Sequence, residues 1–365
     1  MGAINDIFTT FGPEYLDRYE DGMPDNHKKA IRDIVSCRTE TQGLAVYQCL
    51  ECNTLHMVYK SCGNRHCPAC QYHKTRQWLE NQKQRQLPGH HFMITFTMPQ
   101  EIRDFIRGNQ HICYAAMFKA SSKSIKKLAK DPKFIGGDLV GFFGVLHTWG
   151  RLQQYHPHIH YIAPGGAVSD KKWFASRIDF FLPVHALSKI YKAKFKYEMA
   201  KAGLLDEIPE SVWQKDWNVN SQGVPTQEHC IEYLAPYVFR VAISNSRIVK
   251  VEDRRVFFKY RKKGSRRMRT TSLDVMEFMH RFLQHVLPSG FMKVRYYGFL
   301  HPGCSISLEE IADMIREACG LTIANTDTTE TVSIDRTTPV CPVCGGTMVC
   351  KAVILPCIML PIGYG

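Results

Sequence analysis

The feature that most constrains the fold is a run of alternating histidines, His156-Pro-His158-Ile-His160. Successive side chains of a β-strand point to opposite faces of its sheet. His158 and His160 therefore share one face, while Ile159 points to the other. The run predicts a strand over residues 158–163 that buries apolar side chains on one face and carries two imidazoles on the other. Paired imidazoles are suited to binding a divalent metal ion.

A metal centre needs a third ligand, and two candidates share the face of the histidine pair. His156 lies about 13 Å along the strand from His160, at ~3.3 Å per residue. His147 lies opposite His158 if the preceding strand, 139–149, folds back through a turn centred between residues 152 and 153. We therefore predict a divalent ion, Mg²⁺ or Mn²⁺, bound by His147, His158 and His160. His156 is the alternative ligand or a DNA-contacting residue, and purely structural histidines are the other interpretation.

Two tyrosines downstream supply a possible nucleophile. Tyr233 and Tyr237 are four residues apart in a predicted helix over 228–237, so both phenols share one face. A tyrosine nucleophile forms a covalent phosphotyrosine and conserves the bond energy for rejoining. Pro236 removes a helix hydrogen bond between them and can kink the helix. Whether one or both tyrosines act stays open, and a tyrosine pair on a helix is by itself more often packing.

Paired cysteines predict structural zinc. The chain has fourteen cysteines, no secretory leader at residues 1–10 and no apolar run of about 18 residues. We therefore expect a reducing cytoplasm, where CxxC pairs bind metal more often than they form disulfides. Two such pairs, fourteen residues apart, predict a closed tetrahedral zinc site. The ligands predicted for this first site are Cys49, Cys52, Cys67 and Cys70.

Other cysteines and histidines extend the zinc prediction. A second N-terminal zinc is predicted from Cys37, Cys62 and His66, although these residues can equally pack around the first site. A single CxxC near the end of the sequence predicts a C-terminal zinc, for which more ligands are needed. The residues predicted for it are Cys341, Cys344 and Cys350.

The charge of the chain favours a polyanionic partner. Lys and Arg number 47 against 34 Asp and Glu, a net charge of +13 with a pI near 9.1. Residues 254–269 hold nine of these cations, interleaved with Phe257, Phe258 and Tyr260. Basic strands with aromatic side chains suit phosphate neutralisation and base stacking, although such a hairpin can also be merely exposed. The predicted DNA contacts are Arg254, Arg255, Lys259, Arg261, Lys262, Lys263, Arg266 and Arg267.

The order of predicted elements indicates the fold class. The central part reads as strand 91–98, helix 99–130, strand 139–149, strand 158–163, possible strand 179–183 and helix 185–202. This is the split βαβ, ferredoxin-like pattern of an α+β domain, with an antiparallel sheet and helices. A basic hairpin (247–251 and 256–260) and helices at 272–286 and 307–318 follow. The predicted domains are a zinc module (1–88), a nuclease domain (89–246), a basic hairpin and helical region (247–325) and a C-terminal zinc knuckle segment (326–365).

Several of these motifs together resemble one family. They are the cysteine segment 61–71, the segment 146–150 with His147, the histidine run 156–160 and the tyrosine segment 233–245. The chain resembles the HUH-type two-tyrosine rolling-circle transposases, that is, insertion-sequence family ninety-one and its common-region relatives. The resemblance covers most of the chain and implies a single-stranded DNA endonuclease and strand transferase.

The resemblance also implies roles and partners. His158 and His160 would be metal ligands, and Tyr233 and Tyr237 nucleophiles that hold a 5′-phosphate and free a 3′-OH. The partners would be single-stranded DNA of transposon ends and target, with a host helicase or replication machinery, because no P-loop is present. We expect a bacterial cytoplasmic or nucleoid protein without membrane contact. The alternatives are an HUH replication initiator, a non-catalytic zinc-dependent DNA-binding regulator, and a metallo-hydrolase that uses the histidines alone.

Overall fold

The computed structural model of the chain describes residues 2–224, 231, 243–262, 264–265, 267–320 and 339–355, with the backbone alone for residues 71–74. Two compact units are present, Met1–Gln71 with Ala324–Gly365, and Tyr72–Ile323. The four-domain division predicted from the sequence stays a prediction. Within the described residues, no helix has the length and apolar character that crossing a bilayer demands.

The first unit pairs two helices with a small sheet. Helices α1 (Ala3–Tyr19) and α2 (Asp25–Ser36) pack through apolar side chains such as Ile4, Phe8 and Ile31, all of them fully buried. The sheet has the order β13–β1–β2 and is antiparallel throughout. Its strands are β1 (Leu44–Cys49), β2 (Leu55–Tyr59) and β13 (Met348–Ile354).

The second unit is built on a five-stranded antiparallel sheet with the order β12–β4–β5–β3–β8. Four of its strands lie side by side in the order β4–β5–β3–β8, with helices between β3 and β4 and between β5 and β8 and a direct hairpin from β4 to β5. These are the connections of a split βαβ fold, so the predicted α+β, ferredoxin-like class is confirmed. β12 adds a fifth strand beside β4. The strands are β3 (His91–Thr97), β4 (Phe142–Trp149), β5 (Tyr155–Pro164), β8 (Val219–Val224) and β12 (Val294–Tyr297).

Alternation along the strands divides the sheet into two different faces. One face carries the main core, in which Phe96, Phe118 and Phe142 pack edge-on around the ring of Tyr161. The helices that contribute to this core include α4 (Arg103–Gly108), α5 (Gln110–Ala129) and α6 (Val184–Lys201). The opposite face is therefore the one that is left for the histidines.

The remaining elements complete the second unit. α3 (Gln71–Lys83), the hairpin of β6 (Gly166–Ser169) and β7 (Lys172–Ala175), and α7 (Ser211–Gln214) lie before β8 in sequence. A three-stranded sheet follows, with the order β11–β10–β9. Its elements and the later helices are β9 (Ile248–Glu252), β10 (Arg255–Arg261), β11 (Met268–Asp274), α8 (Val275–Leu283) and α9 (Leu308–Cys319).

Three element predictions are wrong in detail. Residues 179–183 form turns rather than a strand, because Phe181 and Leu182 are both buried in the main core instead of alternating. The helix predicted over 99–130 is interrupted at Asn109, which separates α4 from α5. The helix predicted from residue 272 starts at Val275, because Asp274 accepts a hydrogen bond from the Met276 amide (2.8 Å) and caps the helix there.

Candidate active site

The hairpin of β4 and β5 brings three histidines together. In its register His147 lies opposite His158, as predicted, and Val145 lies opposite His160. A bulge follows His147, so the next pair is Trp149 with Tyr155. The three ring centroids are 4.6–5.2 Å apart, and one nitrogen from each ring lies within 4.8 Å of the others.

Hydrogen bonds to Nδ1 orient the rings of two of these histidines. Nδ1 of His158 donates to the carbonyl oxygen of His156 at 2.7 Å. Nδ1 of His160 shares a 2.8 Å hydrogen bond with the hydroxyl of Thr95, which lies opposite it on β3. Such contacts fix the tautomer and the ring orientation of metal-binding histidines. Thr95 was not identified from the sequence, although its position on the predicted strand 91–98 carries the signal.

Burial keeps these histidines neutral. It lowers the pKa of His147 and of His158 well below the ordinary value, and the neighbouring His160 lowers both further. Burial also lowers the pKa of His160 to about 4. At neutral pH the three rings therefore present lone pairs rather than charges. Three nitrogen donors without a carboxylate in their group fit a divalent ion whose other positions are open to water or a phosphate oxygen.

His156, the alternative ligand, lies beside the cluster rather than in it. Its ring centroid is 5.1 Å from that of His158, and it lines the same cleft. Burial, and then the charge of Arg103, lower its pKa to about 4. His147 therefore lies in one cluster with His158 and His160, whereas His156 lies next to that cluster. Metal binding by the three histidines stays a prediction.

The histidines line a cleft of about 960 Å³ whose walls are basic. Arg103, Arg151, Arg247 and Arg261 also line it. Nε of Arg103 is buried and has no hydrogen-bond partner among the described residues, which leaves a donor for a ligand. Four guanidinium groups beside neutral imidazoles make a site for a phosphodiester. Apart from Arg261, these arginines were missed by the sequence reasoning, because single arginines outside a charge run carry no pattern.

Arginines also hold the β4–β5 turn in place. Arg247 donates from Nε to the Lys259 carbonyl (2.7 Å) and from a terminal nitrogen to the Arg151 carbonyl (3.0 Å). Arg281 donates to the Leu152 carbonyl at 3.0 Å. These bonds connect the β4–β5 turn to α8 and to the start of the three-stranded sheet of β9, β10 and β11, which we call the basic sheet.

The basic sheet presents most of its predicted DNA contacts to solvent. Arg254 and Arg255 lie at the β9–β10 turn, and Lys259, Arg261, Lys262 and Arg267 are also exposed. Lys263 and Arg266 lie outside the described residues. Phe258 is fully buried and packs on Phe278 of α8. The prediction that Phe258 stacks on DNA bases is therefore wrong. The aromatic side chains that are left partly exposed there are Phe257 and Tyr260.

Both predicted nucleophiles, Tyr233 and Tyr237, lie outside the described residues. Ile231, two positions before Tyr233, is described, helical and fully buried. It belongs to an apolar cluster that includes Val145 and Ile162. Val145 and Ile162 point away from the main core and lie on the same face of the sheet as the histidines. Val145 is two positions from His147, and Ile162 is two positions from His160.

The structure groups the zinc-binding cysteines differently from the sequence prediction. Thiols gather in two sets, each with its four sulfur atoms within 4.8 Å of one another. The first set is Cys37, Cys62, Cys67 and Cys70. The second set is Cys49, Cys52, Cys341 and Cys344.

The predicted set of Cys49, Cys52, Cys67 and Cys70 is therefore wrong. Cys49 and Cys52 lie at the tip of the β1–β2 hairpin and meet the turn before β13, whereas Cys67 faces α1, where Asn5 Nδ2 donates to its sulfur at 3.7 Å. His66 and Cys350 belong to neither set.

The first set fits a tetrahedral zinc ion. Sγ of Cys70 lies 3.5 Å from the sulfurs of Cys37 and Cys62, close to the ~3.8 Å edge of a tetrahedron with Zn–S bonds of ~2.3 Å. The contact with Cys62 lowers the pKa of Cys67 to about 5, so a thiolate is available at neutral pH.

Comparisons with known proteins agree with this arrangement of two functional parts. The family profile Y2_Tnp, described as "Putative transposase", matches residues 141–307, which contain all three histidines. The profile Zn_Tnp_IS91, a transposase zinc-binding domain, matches residues 7–98. A protein of Sinorhizobium fredii named "Putative transposase y4qJ" is 34% identical over 321 residues, covering 81% of this chain and 80% of its own length.

A more distant relative is the transposase of insertion sequence element IS801 from Pseudomonas savastanoi pv. phaseolicola. It is 24% identical over 312 residues, covering 77% of this chain and 72% of its own length. No solved structure matches the chain significantly.

Proposed function

Because the chain belongs to the transposases with an IS91-type zinc-binding domain, we propose that it nicks and rejoins single-stranded DNA at transposon ends through a 5′-phosphotyrosine intermediate. The observation that carries the proposal is the convergence of three neutral imidazoles and four arginines on one cleft. A phosphodiester is the ligand that these groups bind together.

In the proposed reaction a tyrosine oxygen attacks the scissile phosphorus. The P–O bond to the tyrosine forms as the bond to the 3′ oxygen breaks, and the proton lost by the phenol is balanced by one taken up by the leaving 3′ oxygen. One phosphodiester replaces another, so the bond energy is retained for rejoining. A freed 3′-OH then reverses the step at a new junction, and a second tyrosine would allow two strands to be held at once.

The chain's own residues have distinct parts in this scheme. A divalent ion bound by His147, His158 and His160 would polarise a phosphate oxygen. The cleft arginines neutralise the DNA backbone and orient it, with Arg103 Nε as an available buried donor. Ile231 is buried in the apolar cluster that shares the histidine face, and Tyr233 follows it by two residues in the sequence, so we assign the nucleophile to this segment.

The test is an adduct assay with labelled single-stranded oligonucleotides from both strands of each element end. With Mn²⁺ or Mg²⁺, the fragment that carries a 3′-terminal label should remain bound to the protein in denaturing detergent. The fragment that carries a 5′-terminal label should be released with a free 3′-OH. Chelation by EDTA and the His158→Ala/His160→Ala variant should both abolish the adduct. Duplex DNA of the same sequence should give none.

Tyrosine variants identify the nucleophile. Tyr233→Phe/Tyr237→Phe should abolish the adduct, and the single variants report whether one or both act. Tyr197→Phe is the matched control, since Tyr197 lies on α6 with 64% of its surface exposed. Cleavage that persists without any adduct would overturn the proposal in favour of a metallo-hydrolase, and DNA binding without cleavage would favour a regulator.

A further inference from the structure

The second cysteine set joins two parts of the sequence that lie 295 residues apart. Cys49 Sγ is 3.4 Å from Cys344 Sγ, and Cys52 Sγ is 3.7 Å from Cys341 Sγ. All four sulfurs lie within 4.8 Å of one another. The spacing approaches the ~3.8 Å edge of a zinc tetrathiolate and is far beyond the ~2.05 Å of a disulfide bond.

Both CxxC turns have the backbone of a metal-binding knuckle. The residue after each second cysteine is left-handed, Asn53 with φ 58° and Gly345 with φ 78°. Each turn is closed across its ends, by Cys49 N to the Thr54 carbonyl (3.0 Å) and by Cys341 N to the Gly346 carbonyl (2.7 Å). Two turns of the same shape, facing each other, supply two ligands each.

Groups around the sulfurs are arranged to stabilise thiolates. The Gly346 amide donates to Cys344 Sγ at 3.4 Å, and His56 Nε2 lies 3.2 Å from Cys341 Sγ. Thr54 Oγ1 lies 3.2 Å from Cys52 Sγ. Contacts of this kind orient ligands around a metal and partly neutralise the charge of a tetrathiolate.

Apolar burial alone is a weak explanation for the small sheet. Among the described residues its apolar cluster consists of Cys49, Cys341 and Met348, with Tyr47 packed against them. Several other apolar side chains on the two outer strands are more than half exposed, including Met57 at 71% and Ile354 at 53%. A sheet with so small a core needs another source of stability, and zinc binding supplies folding free energy directly.

We propose that Cys49, Cys52, Cys341 and Cys344 form a second structural zinc site, which is completed from both parts of the chain and fastens β13 onto β1. The match to the zinc-binding domain covers residues 7–98, so it contains half of these ligands. The N-terminal zinc module is thereby incomplete without residues 341–354. This site is independent of the strand-transfer chemistry, and its test needs no catalytic activity.

The first measurement is the zinc content of the purified full chain by elemental mass spectrometry. All chains compared, including the one with wild-type cysteines, carry His158→Ala/His160→Ala, so that the histidine cluster adds no zinc. The chain with wild-type cysteines should contain two zinc ions, and Cys341→Ser/Cys344→Ser should contain one. Cys350→Ser is the matched control, since Cys350 lies on β13, is exposed and is outside both sets. It should retain two. A chain with wild-type cysteines that holds one zinc, or a Cys341→Ser/Cys344→Ser variant that still holds two, would overturn the proposal.

The second measurement separates zinc loss from general misfolding. Amide hydrogen exchange should accelerate in β1 when Cys341 and Cys344 are replaced, and equally in β13 when Cys49 and Cys52 are replaced. The amides of β4 and β5, in the other unit, should exchange at the wild-type rate in both variants. If each replacement loosens its own strand alone, the two parts do not share an ion and the proposal is wrong.

Discussion

The hydrogen bond between Thr95 and His160 gives a quantitative test of the proposed metal centre. Thr95→Val keeps the shape of the side chain and removes the 2.8 Å contact to Nδ1. His160 is only 8% exposed, so water replaces the lost partner poorly, and a buried polar atom left without a partner costs about 1–3 kcal/mol. Loss of a hydrogen bond that orients a metal-binding histidine typically weakens metal binding by about 10- to 100-fold.

We therefore expect Thr95→Val to raise the Kd for Mn²⁺ by about 10- to 100-fold, which corresponds to about 1.4–2.8 kcal/mol. Isothermal titration of the zinc-loaded full chain measures the affinity, and the His158→Ala/His160→Ala variant identifies the signal of this site. Because the defect lies in affinity, excess Mn²⁺ should restore adduct formation.

Thr97→Val is the matched control. Thr97 lies opposite His158 in the same register and lines the same cleft, and no hydrogen bond from its side chain to a histidine is seen among the described residues. Its substitution should leave the Kd within about threefold of wild type, since no hydrogen bond to a histidine ring is lost. Equal effects of the two substitutions, or no effect of Thr95→Val, would refute the argument that Nδ1 contacts set the ligand geometry.

Three further predictions follow from the second unit. His285 is 2% exposed, and burial lowers its pKa to about 3, so the neutral ring favours the folded state above pH 6.5 and this contribution is lost as the pH falls towards 3. Between pH 7.5 and 5 the free energy of unfolding should therefore fall by about 2 kcal/mol more in wild type than in His285→Gln. Urea titrations in which the free energy of unfolding falls equally with pH in both proteins would contradict this. Arg261→Gln should weaken single-stranded DNA binding and reduce the slope of log K against log salt by about 0.7, whereas Lys201→Gln on α6 should not, as fluorescence anisotropy can establish. Phe258→Ala should lower the free energy of unfolding by about 3–5 kcal/mol, because it empties a fully buried site against Phe278, and a loss under 1 kcal/mol would argue that the ring contacts DNA instead.

The histidine cluster could be predicted because its geometry is local. A strand period of two and a tight hairpin suffice to place His147 opposite His158, and the bulge before Trp149 changes only the turn side of that register. Strands β3, β4 and β5 and the helices that follow β3 and β5 were predicted in the same way from alternating and helical patterns, whereas β8 and β12 were not predicted. These patterns depend only on residues that are close together in the sequence, so they can be recognised without knowledge of the fold.

The cysteine grouping could not be predicted, because tetrahedral ligation sets no limit on the distance between ligands along the chain. Cys67 and Cys70 are the nearer CxxC pair to Cys49 and Cys52, yet the hairpin tip meets Cys341 and Cys344. Strand β11 was missed for another reason. Its sequence, Met268–Asp274, is polar and mostly exposed on one edge of a sheet, so no hydrophobic alternation marks it.

The pairing of β1 with β13 has a consequence for synthesis of the protein on the ribosome. The partner turns are separated by 295 residues. At roughly 5–20 residues per second, β1 waits ~15–60 s for its neighbour, with one edge open to pairing with other chains. The second unit can be translated in full during that interval. A nascent chain therefore completes its second unit before its first sheet can close, and premature termination would release molecules whose amino-terminal sheet lacks a strand.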